Sequence, residues 1–379
     1  MSALPATDAE LPKALAEATR QQPRAGAELA GDLAGEPSHA YLFRGPRGSG
    51  KARAARAFAA ELLAAGSAEP EEARRRALLD PSPHPDLVWL RPPGAQHLVE
   101  EVREMVIRAA ALRPMEGERR VFVIEEAEAL RDESQNALLK TLEEPAPFAH
   151  LILLCSDPEL LAATIVSRCR PIEFLSLTPE AVLDRLGASG AEAEAVARLC
   201  GGDAELAQFL LTDDGRELRA TATAAARAAL RSESETPWRA LLEGAEGVGA
   251  EAGAAEERRL LEAAESSGRS GRKAKLTREA TDQVKRTHRR ARTDALDLCL
   301  ALCGAWYRDL AAVAAGAPDL ALNSDRAGEL AADAEGIEPA QAAEALELVL
   351  DTRRRLRLNV SEELALDALW LRLAATLRS

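Results

Sequence analysis

Gly45-Pro46-Arg47-Gly48-Ser49-Gly50-Lys51, followed by Ala52, is the stretch on which the reading of this chain turns. Glycines that let the backbone close tightly, ending in a lysine, make a phosphate-binding loop. Its N–H groups converge on phosphate oxygens, and the next helix points its positive end at them. His39-Ala40-Tyr41-Leu42-Phe43 is a short apolar run leading in and reads as a strand. Ala52 to Ala65 leads out as a helix, with Phe58, Leu62 and Leu63 at helical spacing. Strand, loop and helix form the context this motif requires. The complete motif ends Gly-Lys-Ser/Thr, because the hydroxyl helps hold the Mg²⁺ that bridges the β- and γ-phosphates. Ala52 has no hydroxyl. Gly45, Gly48, Ser49, Gly50 and Lys51 are therefore the expected contacts of a degenerate nucleotide site, with ATP and Mg²⁺ as weak ligands.

Outward from the loop, strands alternate with helices. Leu87-Val88-Trp89-Leu90, Val121-Phe122-Val123-Ile124, Leu151-Ile152-Leu153-Leu154-Cys155 and Ile172-Glu173-Phe174 read as strands. The continuous apolar runs suit a parallel sheet buried on both faces. Residues 66–85 are polar, broken by Pro81-Ser82-Pro83, and read as a connection. Leu98, Val102, Met105, Val106 and Ala109 share one helical face, and Ser134 to Glu144 is a further helix stopped by Pro145. Thr178-Pro179-Glu180 is a helix start, with a hydroxyl cap, proline in the first turn and an acid near the positive end. Beyond it the pattern is helical only, interrupted at Gly201-Gly202. The expected class is α/β followed by all-α. Residues about 246–271, rich in Gly, Ala, Ser and Glu, read as a mobile or partly helical stretch. Helices are expected over 276–313 and 339–358 and after Ser361, the last largely buried through Leu364, Leu366, Leu369, Leu371 and Leu373.

With 379 residues the chain exceeds one ordinary core. The net charge of -14 argues against a protein that grips duplex nucleic acid by itself. Cys155, Cys169, Cys200, Cys299 and Cys303 include no Cys-x-x-Cys pair, so neither zinc nor another metal site is implied, and reduced thiols in a cytoplasm are expected. No apolar run reaches the roughly 20 residues of a membrane span, and the first residues lack a signal pattern.

Val121-Phe122-Val123-Ile124-Glu125-Glu126 is an apolar strand ending in two acids. It resembles a Walker B element, in which the first acid supports Mg²⁺ and the second orients water. Glu125 is one methylene longer than the usual aspartate. Asn136-Ala137-Leu138-Leu139-Lys140-Thr141-Leu142-Glu143-Glu144-Pro145, followed by Ser167-Arg168-Cys169, closely resembles the bacterial clamp-loader branch of the AAA+ ATPases. The resemblance extends to His84-Pro85-Asp86-Leu87 and Glu101-Val102-Arg103-Glu104. Near the C-terminus it includes Trp306-Tyr307-Arg308-Asp309-Leu310, Asn359-Val360 and Leu364-Ala365-Leu366. It is weakest between about 215 and 275.

That family implies an AAA+ nucleotide-binding-like domain over 1–172, a helical lid over 173–213 and a helical collar over 214–379. It implies partners: the motor (tau/gamma) and delta subunits in a hetero-oligomeric ring and, through the complex, the sliding clamp and primer-template DNA. The location implied is bacterial cytoplasm, at replication forks. It implies that Arg168 is an arginine finger presented to ATP in a neighbouring subunit, where stabilising charge on the transferring phosphoryl group is worth about 10³–10⁵ in rate. The blander role is a local salt bridge. Ala52 and Glu125 depart from the motor pattern, so the isolated chain is expected to have little ATPase activity; an active motor with water replacing the hydroxyl is the alternative. The family's four-cysteine zinc module has no counterpart in 66–86. Lys273, Lys275, Arg286, Arg289 and Arg290 within 269–292, and Arg353-Arg354-Arg355, read first as solvated faces. Cys299 and Cys303 read as core. No arginine opens the helix after Gly201-Gly202-Asp203.

Overall fold

The strands are β1 (Ala40–Arg44), β2 (Leu87–Leu90), β3 (Arg120–Ile124), β4 (Ala149–Cys155) and β5 (Arg170–Glu173). They form one all-parallel sheet in the order β2-β3-β4-β1-β5. The computed structural model describes residues 12–94, 96–231, 236–266, 277–356, 358 and 360–378. The chain divides into two units, Met1–Ala181 and Val182–Ser379. The division falls within a helix, Pro179–Leu186, whose start is capped by Thr178 Oγ1 accepting from Ala181 N at 3.2 Å.

In the first unit the sheet separates two cores, because alternate residues of a strand face opposite ways. Tyr41, Phe43, Val121, Val123, Ile152 and Leu154 face one side. There they meet α1 (Lys13–Ala18), α2 (Pro23–Ala34) and α3 (Lys51–Ala64). Leu42, Phe122, Ile124, Leu151 and Leu153 face the other. The helix α3 is buried on nearly every side, and its alanines at 54, 55, 57, 59 and 60 explain how. Small side chains admit neighbours closely at little entropic cost.

The stretch 66–85 is not merely a connection. It contains α4 (Pro70–Leu78), with proline at its start, Glu71 and Glu72 in the first turn and Arg75 and Arg76 in the last. These are the charges a helix dipole favours. Only Ala73 and Ala77 are buried, so no large apolar side chains marked the period. Arg74 locks α4 to α3 through two hydrogen bonds to Glu61, at 2.8 and 2.9 Å. Next, α5 (Val99–Glu101) runs on as a wider π-type coil over Val102–Arg108. Then α6 (Asp132–Glu143) and α7 (Ala163–Val166) follow β3 and β4.

The His84-Pro85-Asp86-Leu87 motif is structural. Asp86 is fully buried and accepts from Met115 N at 2.7 Å and Glu116 N at 2.9 Å, fixing the loop before β3.

The second unit is helical. After α8, the helix Pro179–Leu186, come α9 (Ala191–Leu199), α10 (Ala204–Leu210), α11 (Asp213–Arg231), α12 (Trp238–Ser266) and α13 (Arg278–Ala314). They are followed by α14 (Ala327–Ala334), α15 (Pro339–Leu356) and α16 (Glu362–Leu377). Residues 246–266, expected as a mobile or partly helical stretch, are wholly helical within α12; 267–271 lie outside the described residues. Of the two alternatives the helical one is seen, and glycine in this stretch allows close contact between helices. A Cβ on Gly249 would stand 2.8 Å from Arg292 Cβ and 2.9 Å from His288 O on α13.

Trp306-Tyr307-Arg308-Asp309 is scaffold. Tyr307 donates to Ala226 O at 2.9 Å. The buried Asp309 accepts from Leu322 N at 2.9 Å and from Asn323 N and Nδ2 at 2.8 Å. In α16, Leu366, Leu369, Trp370, Leu373 and Leu377 are buried, whereas Leu364 and Leu371 are 72% and 68% exposed. The expectation that all five leucines bury fails because only one stripe of a helix can face its own core. Of Asn359-Val360, Asn359 lies outside the described residues and Val360 is exposed.

Candidate phosphate-binding site and arginine

Gly45, Gly48 and Gly50 take φ values of +147°, +66° and +103°, which a Cβ disfavours. At Gly45 there is also no room: a Cβ would lie 2.0 Å from Phe174 O. Gln22, just before α2, ties the loop down. Its Nε2 donates to Ser49 O at 3.1 Å and to Leu175 O at 2.7 Å, and its Oε1 accepts from Leu175 N at 3.0 Å. The helix α3 starts at Lys51 directly after the left-handed Gly50, so its first N–H groups open onto the loop. Ser49 is buried, and its Oγ has no hydrogen-bond partner among the described residues. Lys51 is buried as well. Its Nζ donates to Gly45 O at 2.5 Å, Pro46 O at 2.7 Å and Ser156 Oγ at 3.3 Å. The lysine therefore lies over the loop's own carbonyls.

The two acids after β3 are spoken for. Glu125 Oε1 accepts from Trp89 Nε1 at 2.5 Å and from Arg91 Nε at 2.9 Å. Both partners belong to β2 or the residue after it, on the side of β3 away from β1 and the glycine loop. The network continues outward. Arg91 donates to Asp80 Oδ2 at 2.7 Å, and Arg56 of α3 sits 3.1 Å from Asp80 Oδ1. The Arg56 guanidinium lies 4.1 Å from the centre of the Trp89 ring, a cation–π stack. Burial pushes the Arg56 pKa down, and Asp80 opposes that shift. His97 Nε2 lies 2.7 Å from the Glu125 carbonyl and holds the strand end. Glu126 takes a positive φ of 47°, uncommon without glycine, and its Oε2 is 3.7 Å from Arg47 of the loop. Beside them, Ser156 at the tip of β4 accepts from Lys51, while its N–H donates to Glu128 Oε1 at 3.0 Å.

A phosphate group fits the loop: it offers glycine backbone, a helix start, a lysine and a buried hydroxyl. A magnesium ion does not. Ala52 supplies no oxygen, and the Glu125 carboxylate is committed to Trp89 and Arg91. Among the described residues no cluster of three or more His, Cys, Asp or Glu side chains stands at metal-binding spacing.

Arg168 follows α7 with its side chain 36% exposed. NH2 lies 2.5 Å from Glu143 Oε1, and NH1 donates to Thr164 O at 2.9 Å. The local salt bridge anticipated as the blander role is thus present. Both partners are over a third exposed, and such pairs are worth about 0–1 kcal/mol, so the arginine is cheaply released. Cys169 is buried, which pushes its thiol up to about 12, the opposite of an activated nucleophile. Cys299 is likewise pushed up to about 12 by burial, and Cys303 further. Arg353 pairs with Asp297 at 2.6 Å and Arg355 with Asp351 at 2.8 Å. Asp203 caps α10 by accepting from Glu205 N and Leu206 N, both at 3.0 Å.

The glycine loop, the acids after β3 and the Ser-Arg-Cys turn all lie in residues 22–178, the span that matches the family model described as DNA polymerase III, delta subunit. Over the same part, the delta-prime subunit of Bacillus subtilis DNA polymerase III is 32% identical across 188 residues, 48% of this chain and 57% of that one. The Pseudomonas aeruginosa delta-prime subunit is 37% identical across 198 residues, 48% of this chain and 58% of that one. Over this region the chain is similar to delta-prime subunits of the DNA polymerase III clamp loader. The tau subunit of B. subtilis is also similar, at 32% over 152 residues, covering 39% of this chain and 27% of that one. The chain thus spans less than three-fifths of the length of these delta-prime relatives. Among solved structures, a gamma-subunit-related protein of Thermotoga maritima is matched at 13% identity, over 73% of this chain and 98% of that one, with a TM-score of 0.38. At that score the fold rests on the sheet order itself. No described helix is long and apolar enough to cross a membrane.

Nine side chains of the site escaped the sequence reading: Gln22, Arg56, Asp80, Trp89, Arg91, His97, Glu128, Glu143 and Ser156. For one of them a signal existed. Trp89 pairs in register with Val123 and Leu90 with Ile124, so Arg91 stands level with Glu125.

Proposed function

We propose that this chain is a clamp-loader subunit of the delta-prime kind, supporting ATP-driven placement of a sliding clamp on primed DNA while hydrolysing little or no ATP itself. The observation that carries the reading is the pairing of two defects on one metal position: no hydroxyl at Ala52, and Glu125 bound to Trp89 and Arg91. Arg168 is proposed to act in a neighbouring subunit's site. Its partial exposure and weak local pair support this. The proposed partners are motor (tau/gamma) and delta subunits in a ring, which reach the clamp and primer-template DNA together. The proposed division is an AAA+ domain over 1–172, a lid over 173–213 and a collar over 214–379. The exposed Leu364 and Leu371 on α16 suit subunit contacts in such a collar.

The test is a reconstituted complex carrying Arg168→Ala. ATP turnover is expected to fall by about 10³-fold at the site this arginine serves, with assembly by gel filtration unchanged. Unchanged turnover would remove the role. Turnover by the isolated native chain, abolished by Lys51→Ala, would make it a motor instead.

A further inference from the structure

The chain is acidic overall, with a net charge of -14, yet residues 283–293 contain no acid, and six of the eight from Lys285 to Arg292 are Lys, Arg or His. They lie in the first half of α13. That segment packs on α12 through Val284, His288 and Arg292, one helical turn apart, against Gly249 and Gly253. Glu246 of α12 pairs with His288 at 3.1 Å and with Arg292 at 2.8 Å, and Arg292 also reaches Glu362 at 2.7 Å. Those basic groups are absorbed by the fold.

Lys285, Arg286 and Arg289 are different. They are exposed and make no ion pair with another described residue, and Lys285 and Arg289 line the edge of a shallow groove between α13 and α12. Lys285 and Arg289 are one turn apart, about 5–6 Å between Cβ atoms. Glu257 stands across the shallow groove they border, and Asp282 lies one turn before Lys285. Neither is within ion-pair distance of the three. No large hydrophobic side chain is exposed among the described residues of α12 and α13.

We propose that this face of α13 holds the phosphate backbone of a nucleic acid without reading its sequence. Bare cations with no apolar centre fit that partner. A protein interface has an apolar, aromatic core depleted of charge, and a membrane-surface helix needs an apolar face. Backbone binding needs only cations that displace condensed counterions. The net charge opposes approach, so contact is strongest at low salt. The proposal deepens the clamp-loader reading by naming a direct contact, and its test needs neither ring assembly nor hydrolysis.

The experiment is fluorescence anisotropy of a labelled DNA duplex with the full chain at about 50 to 200 mM salt, the range over which such slopes are read. Comparison is with Lys285→Gln/Arg286→Gln/Arg289→Gln and with Arg353→Gln/Arg354→Gln/Arg355→Gln. Three neutralised phosphates give a log–log salt slope of about -2.7, or roughly a 40-fold loss of affinity over that range. The first variant should lose at least about tenfold in affinity at the low end and most of the slope, with an unchanged circular-dichroism melt. The second should stay within about twofold. Absence of native binding at low salt overturns the proposal, as does an unaltered slope in the first variant. So does dependence on the three residues for an acidic protein or anionic vesicles but not for DNA. If duplex binding fails while Arg168→Ala still lowers turnover, only this proposal falls.

Discussion

Replacing Ala52 with threonine restores the missing hydroxyl, and the structure says that this alone does not restore a metal site. The second ligand, Glu125, is held by the Trp89 indole at 2.5 Å and by Arg91 at 2.9 Å. A hydrogen bond to a charged group contributes about 1.5–3 kcal/mol. The Arg91 contact is half exposed and contributes about 0–1 kcal/mol. Freeing the carboxylate therefore costs about 2–4 kcal/mol, a factor of roughly 30–1,000 in metal affinity. Ala52→Thr is expected to change Mg²⁺-dependent ATP affinity by less than about threefold on this ground. Adding Glu125→Asp shortens the side chain by one methylene and breaks both contacts as placed. The double variant is expected to gain at least about 30-fold over the single one, the lower end of that cost. The assay is titration of a fluorescent ATP analogue, with Mg²⁺ and with chelator, on the isolated chain. A gain of about tenfold or more from Ala52→Thr alone would refute the argument, and so would a double variant no better than the single.

Two further outcomes concern the scaffold. Arg219 is 3% exposed and makes two hydrogen bonds to Asp325, at 2.7 and 2.8 Å, and one to Asn323 at 2.9 Å. Arg219→Ala leaves the carboxylate unpaired and should cost the second unit about 3–5 kcal/mol in urea unfolding; a loss under about 1 kcal/mol would disprove it. Arg219→Lys should rescue little, because the bidentate fork is lost. The thiols give a pH dependence. Burial raises Cys155, Cys169 and Cys299 from about 9 to about 12 in the folded chain. A raised folded pKa means stability fully present below about 9 and lost as pH rises towards 12. A urea midpoint that rises between those values would contradict this, as would native thiols that react with Ellman's reagent as fast as those of the unfolded chain.

The fold was legible where one residue type repeats for one reason. The apolar runs of β3 and β4 have few readings other than central parallel strands, and the glycines of the loop precede a helix whose start they require. The helix α4 was not legible, because its signals are charges at its ends and its buried face is two alanines. The α12 stretch reads two ways because glycine is ambiguous from sequence: it marks mobility or close approach, and only the partner helix decides. In the site, the loop could be read because its residues are contiguous. The network around Glu125 could not, since its partners Trp89 and Arg91, and Asp80 beyond Arg91, come from the α4–β2 segment some 34 to 45 residues earlier, and only strand pairing brings them level.

Charge balance accounts for two acids at this strand end without a metal ion. Two carboxylates at the end of a buried strand repel each other and need a counter-charge; in a working site a metal ion provides part of it. Here Glu125 has Arg91, and Glu126 has Arg47. Arg91 is shared with Asp80, which also binds Arg56 of α3. The counter-charge is thus built from side chains and joined to the helix that follows the phosphate loop. Deleting Glu125 would then leave Arg91 with Asp80 alone and the Trp89 indole without its acceptor, so the acid has a structural role that is independent of a metal. An acid after β3 is for this reason a poor sign of hydrolysis in such a chain. The informative residues are the ones on β2 that decide which way it points.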